Sequence, residues 1–215
     1  MNLKDELQKH LDAGLTKRPE EIKNVMATSA QKLIDDKIGE NALKKGEKLP
    51  EFSLKNATGQ EVNVYDILKN GPLIISFYRG AWCPYCNLEL RAYKELLPEI
   101  KKAGADFIAI SPELPDVSMS LAEKHNLDFQ VLSDIDNKLA KELGLVFKLE
   151  DDLIEVYKSF GIDVDTAQGN TNKELPLPAT YVIGADGIVL LAEVDTDYTK
   201  RLEPADALKV IVANR

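Results

Sequence analysis

The two cysteines of the chain, Cys83 and Cys86, are separated by two residues and follow a short apolar run. That run, Leu73–Phe77, is β-branched and aromatic, which predicts a buried strand. A glycine breaks the strand, and Pro84 suits the first turn of a helix predicted over about residues 86–100. The sequence therefore predicts a strand, a sharp turn and a helix, with both thiols at the helix N-terminus.

Both thiols are expected to be chemically active at this place. Unpaired amides and the helix dipole stabilise a thiolate, so at least one thiol should have a lowered pKa and react near neutral pH. A lone thiolate that reduces a disulfide or a peroxide ends as a mixed disulfide or a sulfenic acid. A second thiol one helical turn away can resolve either product.

Two other interpretations of the cysteine pair are disfavoured. A zinc site needs four ligands, and the only further nitrogen or sulfur candidates are His10 and His125, on unrelated segments. A structural disulfide would close a very short loop, which removes little entropy from the unfolded chain. We therefore expect a redox-active dithiol that needs no metal and no cofactor.

Composition and charge restrict the class of protein. The chain has 215 residues, 44% of them hydrophobic, enough for one domain with a full core. Its 36 acidic and 27 basic residues disfavour binding to nucleic acid and to anionic membranes. No apolar run approaches ~18 residues, and the N-terminus lacks the pattern of a signal peptide. These features predict a cytoplasmic protein, and in that reducing compartment a close cysteine pair favours catalysis over cross-linking.

Residues 1–46 are predicted to form a helical arm that precedes a second unit, residues 47–215. Apolar residues recur at helical spacing on both sides of Pro19 and predict two amphipathic helices. We favour an arm that packs on its own core over one exchanged between subunits, which leaves a homodimer open. Because the arm carries none of the predicted sheet, the fold is expected to form without it.

Strands and helices alternate beyond the cysteine segment. The strand–helix–strand order around the cysteines is the βαβ unit of a parallel sheet. Residues 180–192 predict a closing hairpin, followed by a helix over Glu203–Ala213. The polar stretch Asp163–Lys173 is predicted to be an exposed loop, and Val117–His125 a helix with His125 as an exposed capping cation. The pattern predicts an α/β fold with a mixed sheet.

These elements and several short motifs resemble the thioredoxin superfamily, and within it the alkyl hydroperoxide reductase and thiol-specific antioxidant (AhpC/TSA) family, in a branch that carries C-x-x-C. The likeness covers residues 46–213 and rests on these segments: Gly46–Leu54, Ile110–Ser111, Leu132–Asp134 and Pro178–Ile183. It implies a thioredoxin-like α/β/α sandwich with a mixed central sheet, to which the arm is an N-terminal helical extension.

Peroxiredoxins of this family carry P-x-x-x-T-x-x-C, and the resemblance implies Cys86 as the peroxidatic cysteine. In that alignment Arg79 replaces the proline and Cys83 the threonine, while Glu89 fits the family's C-x-x-E. The place of the arginine that stabilises the thiolate and the peroxide holds Pro178. Arg79 could supply that charge by turning inward, but a strand-end arginine is more often solvated, which is the expectation here.

The thioredoxin pattern fits the same segment in another way. Trp82–Cys86 resembles the tryptophan-led motif of thioredoxins, and Cys-Pro-Tyr-Cys is the tetrad of glutaredoxins. Pro178 stands where that superfamily keeps a cis-proline facing the dithiol, and a cis bond is expected here. Ser76 stands at the place of the superfamily's buried acid.

Three functions follow for a Cys83/Cys86 dithiol. The leading hypothesis is thiol-dependent reduction of a hydroperoxide, in which Cys86 attacks and Cys83 resolves, and thioredoxin or a low-molecular-weight thiol then reduces the pair. The second is thioredoxin-like disulfide exchange on a disulfide substrate, with Cys83 as the attacking thiolate and Cys86 as the resolver. The third is a binding module without catalysis, whose rim of Trp82 and Tyr85 holds a partner beside Pro178.

Overall fold

The strand Leu73–Phe77 is buried at all five positions and lies inside a seven-stranded sheet. The computed structural model describes residues 2–119 and 127–214. The sheet consists of β1 (Ser53–Asn56), β2 (Glu61–Asn63), β3 (Leu73–Phe77), β4 (Asp106–Ser111), β5 (Gln130–Ser133), β8 (Ala179–Ile183) and β9 (Val189–Val194). Two further strands, β6 (Val146–Lys148) and β7 (Glu174–Pro176), form a separate antiparallel pair that the sequence did not predict.

The sheet is mixed, and its strands run in the order β2-β1-β5-β4-β3-β8-β9. Strands β3, β4 and β5 are parallel, with Ile75 opposite Ile108 in the first pair. The other neighbouring pairs are antiparallel. This confirms the predicted mixed sheet. Because parallel strands end at the same edge, the segments that follow β3, β4 and β5 meet there, and the cysteines lie in the first of them.

Helices cover both faces of the sheet. The helices described over their whole length include α1 (Leu3–Lys17), α2 (Glu20–Asp35), α3 (Val64–Leu68), α4 (Pro84–Lys102), α5 (Lys138–Glu142), α6 (Asp151–Ser159), α7 (Val164–Gln168) and α8 (Pro204–Ala213). One face packs on α1, α4 and α8 through a cluster that includes Leu7, Tyr93 and Ile211. The other face packs on α3 and α5 through Leu68 and Leu139. The predicted α/β/α sandwich is thereby confirmed.

The helix predicted over Val117–His125 is described only in part. Residues 115–119 are helical, and His125 lies outside the described residues, as does the capping role expected of it. Among the helices that are described, none has the length and apolar composition needed to span a membrane.

The loop predicted over Asp163–Lys173 is wrong, because the structure has helix α7 within it. Val164 and Gln168 of this helix are buried. The Asp163 side chain caps the helix by accepting the Thr166 N–H at 3.0 Å. The polar side chains in this stretch therefore make specific hydrogen bonds within the protein. Polarity alone had led to the prediction that they are solvated.

The peptide bond before Pro178 is trans, as are the other peptide bonds of the described residues, so the predicted cis-proline is wrong. The pairing of β7 with β6 extends the chain toward this residue, and the Leu177 N–H donates to the Leu145 carbonyl at 2.8 Å. A residue that precedes proline favours extended backbone. Pro178 thus continues an extended segment that links β7 to β8.

The arm forms two helices, as predicted, and α1 packs against α4 of the same chain. Leu3 and Leu7 are each only 4% exposed and belong to the core cluster that also contains both cysteines. The Leu3 N–H also donates to the Glu203 carboxylate at 3.2 Å. The domain boundary at residue 46 stays a prediction, but α1 contributes to the core that surrounds the thiols.

The substitution Leu7→Ala should lower the free energy of unfolding by about 2–4 kcal/mol, because it leaves a cavity in the core. The matched control is Leu15→Ala on the same helix, whose side chain is 44% exposed. The Leu15→Ala control should lower the free energy of unfolding by less than ~0.5 kcal/mol. Urea unfolding, followed by the fluorescence of Trp82, the chain's one tryptophan, measures both. Equally small effects would show that the arm is separable from the core.

Candidate active site

The two thiols lie at the N-terminus of α4, as the sequence predicts. Cys83 is the N-cap residue, Pro84 begins the helix and Cys86 follows in its first turn. Backbone hydrogen bonds of 3.1 Å, from Cys83 N–H to the Gly80 carbonyl and from Asn87 N–H to the Cys83 carbonyl, hold the turn. Both thiols are free and fully buried, so a substrate reaches them only past the surrounding side chains.

Arg79 turns inward and contacts the first thiol. Its Nη2 lies 3.1 Å from the Cys83 Sγ, and its Nη1 donates to the Tyr157 hydroxyl at 2.8 Å. The guanidinium is held between two aromatic rings, 4.2 Å from the centroid of Tyr198 and 5.1 Å from that of Trp82. Because only 4% of Arg79 is exposed, the prediction of a solvated strand-end residue is wrong.

The charge of Arg79 needs a counterion. Within the described part of the chain, its guanidinium forms no salt bridge to a carboxylate, and its polar contacts are the Cys83 sulfur and the neutral Tyr157 hydroxyl. A buried cation without an anion is strongly unfavourable. An ionised Cys83 supplies the missing negative charge at 3.1 Å.

A second buried arginine, Arg201, stands beside the second thiol. Its Nη2 is 3.5 Å from the Cys86 Sγ, but its Nε pairs with the Glu89 carboxylate at 2.7 Å. Glu89 therefore offsets most of this charge, and Cys86 receives little net positive charge from it. The sequence analysis missed Arg201, because it looked for the stabilising cation at the position of Pro178.

Glu89, which the C-x-x-E pattern singled out, is buried at the centre of this arrangement. The hydroxyls of Ser76 and Thr180 both donate to its Oε1 at 3.3 Å. Burial raises the pKa of Glu89, although Arg201 and the two hydroxyls act to lower it. Ser76, at the position of the superfamily's buried acid, thus supports an acid that comes from α4 instead.

The two thiols interact strongly, and their pKa values shift in opposite directions. Burial would raise the pKa of Cys83, but the hydrogen bond from Cys86 and the charges of Arg79 and Arg201 hold it well below its usual value. Burial, and then the hydrogen bond to Cys83 and its negative charge, raise the pKa of Cys86 well above its usual value. The reduced pair therefore holds its thiolate on Cys83 and its proton on Cys86.

Sequence reasoning also missed Glu113, a buried carboxyl that follows β4 at the same edge of the sheet. Its Oε2 accepts the Ala81 N–H at 2.8 Å, and its Oε1 has no hydrogen-bond partner among the described residues. Gly80 approaches so closely that an added Cβ would lie 2.8 Å from Oε1. Burial raises the pKa of Glu113 to about 7; the Ala81 N–H opposes that shift, and the charge of Cys83 adds to it.

The other residues predicted for the site lie around the thiols. Trp82 is half-buried, with its ring 5.4 Å from that of Tyr157, and Pro84 is exposed. Tyr85 is buried and makes an edge contact with His10 of the arm, with 5.0 Å between ring centroids. Because Tyr85 is only 2% exposed, it contributes little to the exposed rim that a binding module needs.

Two cavities lie beside Arg79, the residue that contacts Cys83, although neither cysteine is among their lining residues. Pro178 is buried and lines, together with Arg79, an apolar cavity of about 250 Å³ between α2 and β6. A wider cleft of about 500 Å³ is lined by Arg79, Trp82 and Pro84. A molecule in either cavity therefore meets the guanidinium of Arg79. In the described part of the chain, no three side chains of the types that bind metals converge.

The fold and the buried dithiol define a thiol-redox protein of the thioredoxin superfamily. A model of the AhpC/TSA family matches residues 45–192, more than half of the chain. The chain therefore belongs to the AhpC/TSA family, which confirms the resemblance seen in the sequence.

Individual relatives agree with this assignment. The chain is 34% identical to peroxiredoxin Bcp of Escherichia coli (strain K12) over 105 residues, which are 49% of this chain and 67% of that protein. It is 33% identical to chloroplastic peroxiredoxin Q of Populus jackii over 147 residues, 68% of this chain and 58% of that protein. Among solved structures, peroxidoxin BcpB from Mycobacterium tuberculosis aligns with a TM-score of 0.64 over 80% of this chain and 99% of that one, and its 24% identity supports the fold alone.

Removing the charge of Arg79 should raise the pKa of Cys83. In the wild-type protein one thiol should ionise well below the free-thiol value of about 8.5. Arg79→Gln should move that midpoint upward by about 1 pH unit or more. The ultraviolet absorbance of the thiolate, recorded against pH, measures the midpoint. The exposed Arg91→Gln is the matched control and should leave it in place. A wild-type signal that only rises through pH 8 to 9 would reject the assignment.

Glu113→Gln should change how stability depends on pH. A carboxyl with a pKa of about 7 when folded and about 4.3 when unfolded holds its proton longer in the folded state. Wild-type stability should therefore fall as the pH rises from about 5 to 8, and the variant should lack this loss, a relative gain on the order of 2–3 kcal/mol. Urea unfolding at both pH values measures it, with the exposed Glu99→Gln as control. The same pH dependence in all three proteins would contradict the burial argument.

Proposed function

We propose that this chain is a thiol-dependent hydroperoxide reductase whose redox centre is the pair Cys83 and Cys86. The observation that carries the proposal is the buried Arg79 guanidinium, 3.1 Å from the Cys83 sulfur. A cation at this place stabilises first a thiolate and then the oxygen anion that leaves during the reaction. The relatives named peroxiredoxin support the same chemistry.

The first step is attack of the Cys83 thiolate on one oxygen of the hydroperoxide. The sulfur–oxygen bond forms while the oxygen–oxygen bond breaks, and the departing alkoxide takes up a proton and leaves as the alcohol. Cys83 is oxidised by two electrons to a sulfenic acid. Arg79 offsets the negative charge as it moves from the sulfur to the departing oxygen.

The second step is resolution by Cys86. Cys86 follows Cys83 by three residues in the first turn of α4, and the two thiols shift each other's pKa, which makes Cys86 the nearest resolving thiol. The sulfur–sulfur bond forms as the hydroxyl of the sulfenic acid departs, and this hydroxyl leaves as water with the proton of Cys86. The product is a disulfide across the first turn of α4.

This order of attack is the reverse of the one that the family pattern implies. The pattern assigns the peroxidatic role to Cys86. A sequence pattern cannot show, however, which of the cations beside the thiols is paired with a carboxylate. Arg79 lies beside Cys83 without a carboxylate partner in the described chain, whereas the cation beside Cys86 is paired with Glu89. The distribution of charge therefore favours Cys83 as the first nucleophile.

Disulfide exchange is the second candidate function, and the thiolate at the helix N-cap favours it. Here Cys83 attacks a substrate disulfide, and Cys86 resolves the mixed disulfide. Since both functions use the same attacking sulfur, the preferred oxidant separates them. Single-turnover mixing of the reduced protein with hydrogen peroxide and with a small disulfide measures that preference.

We further propose that a thioredoxin-like protein or a low-molecular-weight thiol reduces the oxidised pair. A cytoplasmic location would supply such reductants. A homodimer, which the helical arm leaves open, stays a prediction that the oligomeric state in solution tests.

Serine variants should identify the sulfur that attacks first. Cys86→Ser should consume one equivalent of hydroperoxide and keep a sulfenic acid on Cys83, because the resolving thiol is gone. Cys83→Ser should react more slowly, by about 10-fold or more, because Cys86 lacks the 3.1 Å contact that Arg79 makes with Cys83 and the arginine beside it is paired with Glu89. Mass spectrometry after trapping with dimedone locates the sulfenic acid. A rapidly formed sulfenic acid on Cys86 of the Cys83→Ser variant would restore the order implied by the family pattern.

A further inference from the structure

The wider cleft beside the redox centre, about 500 Å³ in volume, lies between α1 of the arm and the start of α4. Three of its lining residues are cationic, Lys17, Arg18 and Arg79, and His10 lines it as well. No aspartate or glutamate lines it, although the whole chain has a net charge of −9. Positive charge is thus concentrated in the cleft, which favours an anionic ligand.

Two basic residues at the end of α1 line the cleft, Lys17, which is exposed, and Arg18, which is half-buried. Among the described residues, neither Lys17 nor Arg18 forms a salt bridge. The Arg18 guanidinium lies 5.7 Å from the centroid of the Phe160 ring, an aromatic contact that leaves its charge in place. The rest of the wall is largely aromatic, with Trp82 and Tyr85 next to the thiols.

Oxidation of the dithiol changes the charge at the inner end of the cleft. In the reduced protein Arg79 faces the Cys83 thiolate at 3.1 Å. Formation of the disulfide removes that negative charge, and the guanidinium has no carboxylate in the described chain to replace it. Because a buried cation without a counterion is unfavourable, the oxidised protein attracts an anion to this place.

We propose that the cleft binds the reductant, and that this reductant is a small thiol that carries a carboxylate. The carboxylate pairs with Lys17 and Arg18, while the thiolate approaches the disulfide past Arg79. The oxidised protein binds such an anion more tightly than the reduced protein. The assignment rests on the dithiol cycle of the proposed function, but it does not depend on which oxidant forms the disulfide.

The reduction balances with two molecules of the thiol. The first thiolate attacks the Cys83 sulfur, the bond to Cys86 breaks, and the Cys86 sulfur leaves and takes up a proton. The second thiolate attacks the ligand sulfur of the mixed disulfide and releases the Cys83 thiolate, a good leaving group because Arg79 stabilises it. The products are the reduced pair and one small disulfide.

The test compares three thiols that differ in charge: 3-mercaptopropionate, 2-mercaptoethanol and cysteamine. The protein is first oxidised with a small disulfide, and its reduction is followed by the fluorescence of Trp82 beside Cys83. Each rate is divided by the rate at which the same thiol reduces a free disulfide, so that intrinsic reactivity cancels. We expect the carboxylate-bearing thiol to be about 5-fold faster than the neutral one, and the cationic thiol to be the slowest.

The double variant Lys17→Gln, Arg18→Gln removes the charge at the mouth of the cleft. Its three normalised rates should agree within about 2-fold, with the neutral thiol little changed. Lys9→Gln, an exposed position on the same helix outside the cleft, is the matched control and should keep the wild-type order. Equal normalised rates in the wild type, or a wild-type order in the double variant, overturn the proposal.

A second measurement requires no reaction at the thiols. Succinate, which has carboxylates and no thiol, is titrated against the oxidised and the reduced protein, and we expect the lower Kd for the oxidised form. Equal Kd values overturn the dependence on redox state. If a carboxylate on the hydroperoxide speeds oxidation of the protein, while a carboxylate on the thiol does not speed its reduction, the cleft belongs to the hydroperoxide. That result also overturns the proposal.

The experiments distinguish two outcomes: the proposal for the cleft is wrong, or the proposed peroxidase function is wrong. Because the disulfide is prepared without peroxide, a protein that does not consume peroxide contradicts the peroxidase function and leaves the charge selectivity of reduction intact. A protein that consumes peroxide but shows no charge selectivity contradicts the cleft alone.

Discussion

A guanidinium held 3.1 Å from a thiol sulfur, with no carboxylate partner in the described chain, determines the charge of the groups around it. Two aromatic rings sandwich Arg79, but they do not neutralise it, so Cys83 must supply the anion. A second negative charge next to that thiolate is unfavourable, and Cys86 therefore keeps its proton. Glu113, buried nearby, has a pKa raised to about 7 and therefore also keeps its proton below that pH. The buried Arg79 cation thus acts together with Arg201 and with the contact between the thiols to set the pKa values of both cysteines.

The second arginine, Arg201, contributes to the site mainly by linking its elements, because Glu89 offsets its charge. Arg201 pairs with Glu89 at 2.7 Å, and its Nη1 also donates to the carbonyl of Tyr198 at 2.6 Å. The Tyr198 ring in turn lies 4.2 Å from the Arg79 guanidinium. The buried pair of Arg201 and Glu89 therefore connects α4 to the residue that holds Arg79. Removing one partner of such a pair leaves an unpaired buried charge, so this connection is costly to break.

The parts of the structure that depend on neighbours in sequence were predictable. The apolar run of β3 and the proline at the start of α4 are local signals, and both predictions are confirmed. Arg79 was predicted wrongly because its inward position depends on Tyr157, which is distant in sequence. Pro178 was predicted wrongly because the resemblance to the superfamily was weighed above the ordinary trans preference of a bond before proline. Glu113 had a usable signal, since it follows a strand parallel to β3 and must reach the same sheet edge. Arg201 had none: its partner Glu89 is 112 positions away in sequence.

The family match over residues 45–192 ends before several groups on which the site depends. Tyr198 and Arg201 follow it, and α1, with Leu7 in the core, precedes it. The same helix that fills the core around the thiols also carries Lys17 and Arg18 to the mouth of the cleft. Packing of α1 and access to the dithiol are therefore coupled, because a change that loosens the helix also displaces the cleft's basic residues. The shared fold supplies the strand, the turn and the helix that present the thiols. Among the described residues, the segments outside the family match supply Arg201, one of the two buried arginines, and the cleft residues Lys17 and Arg18.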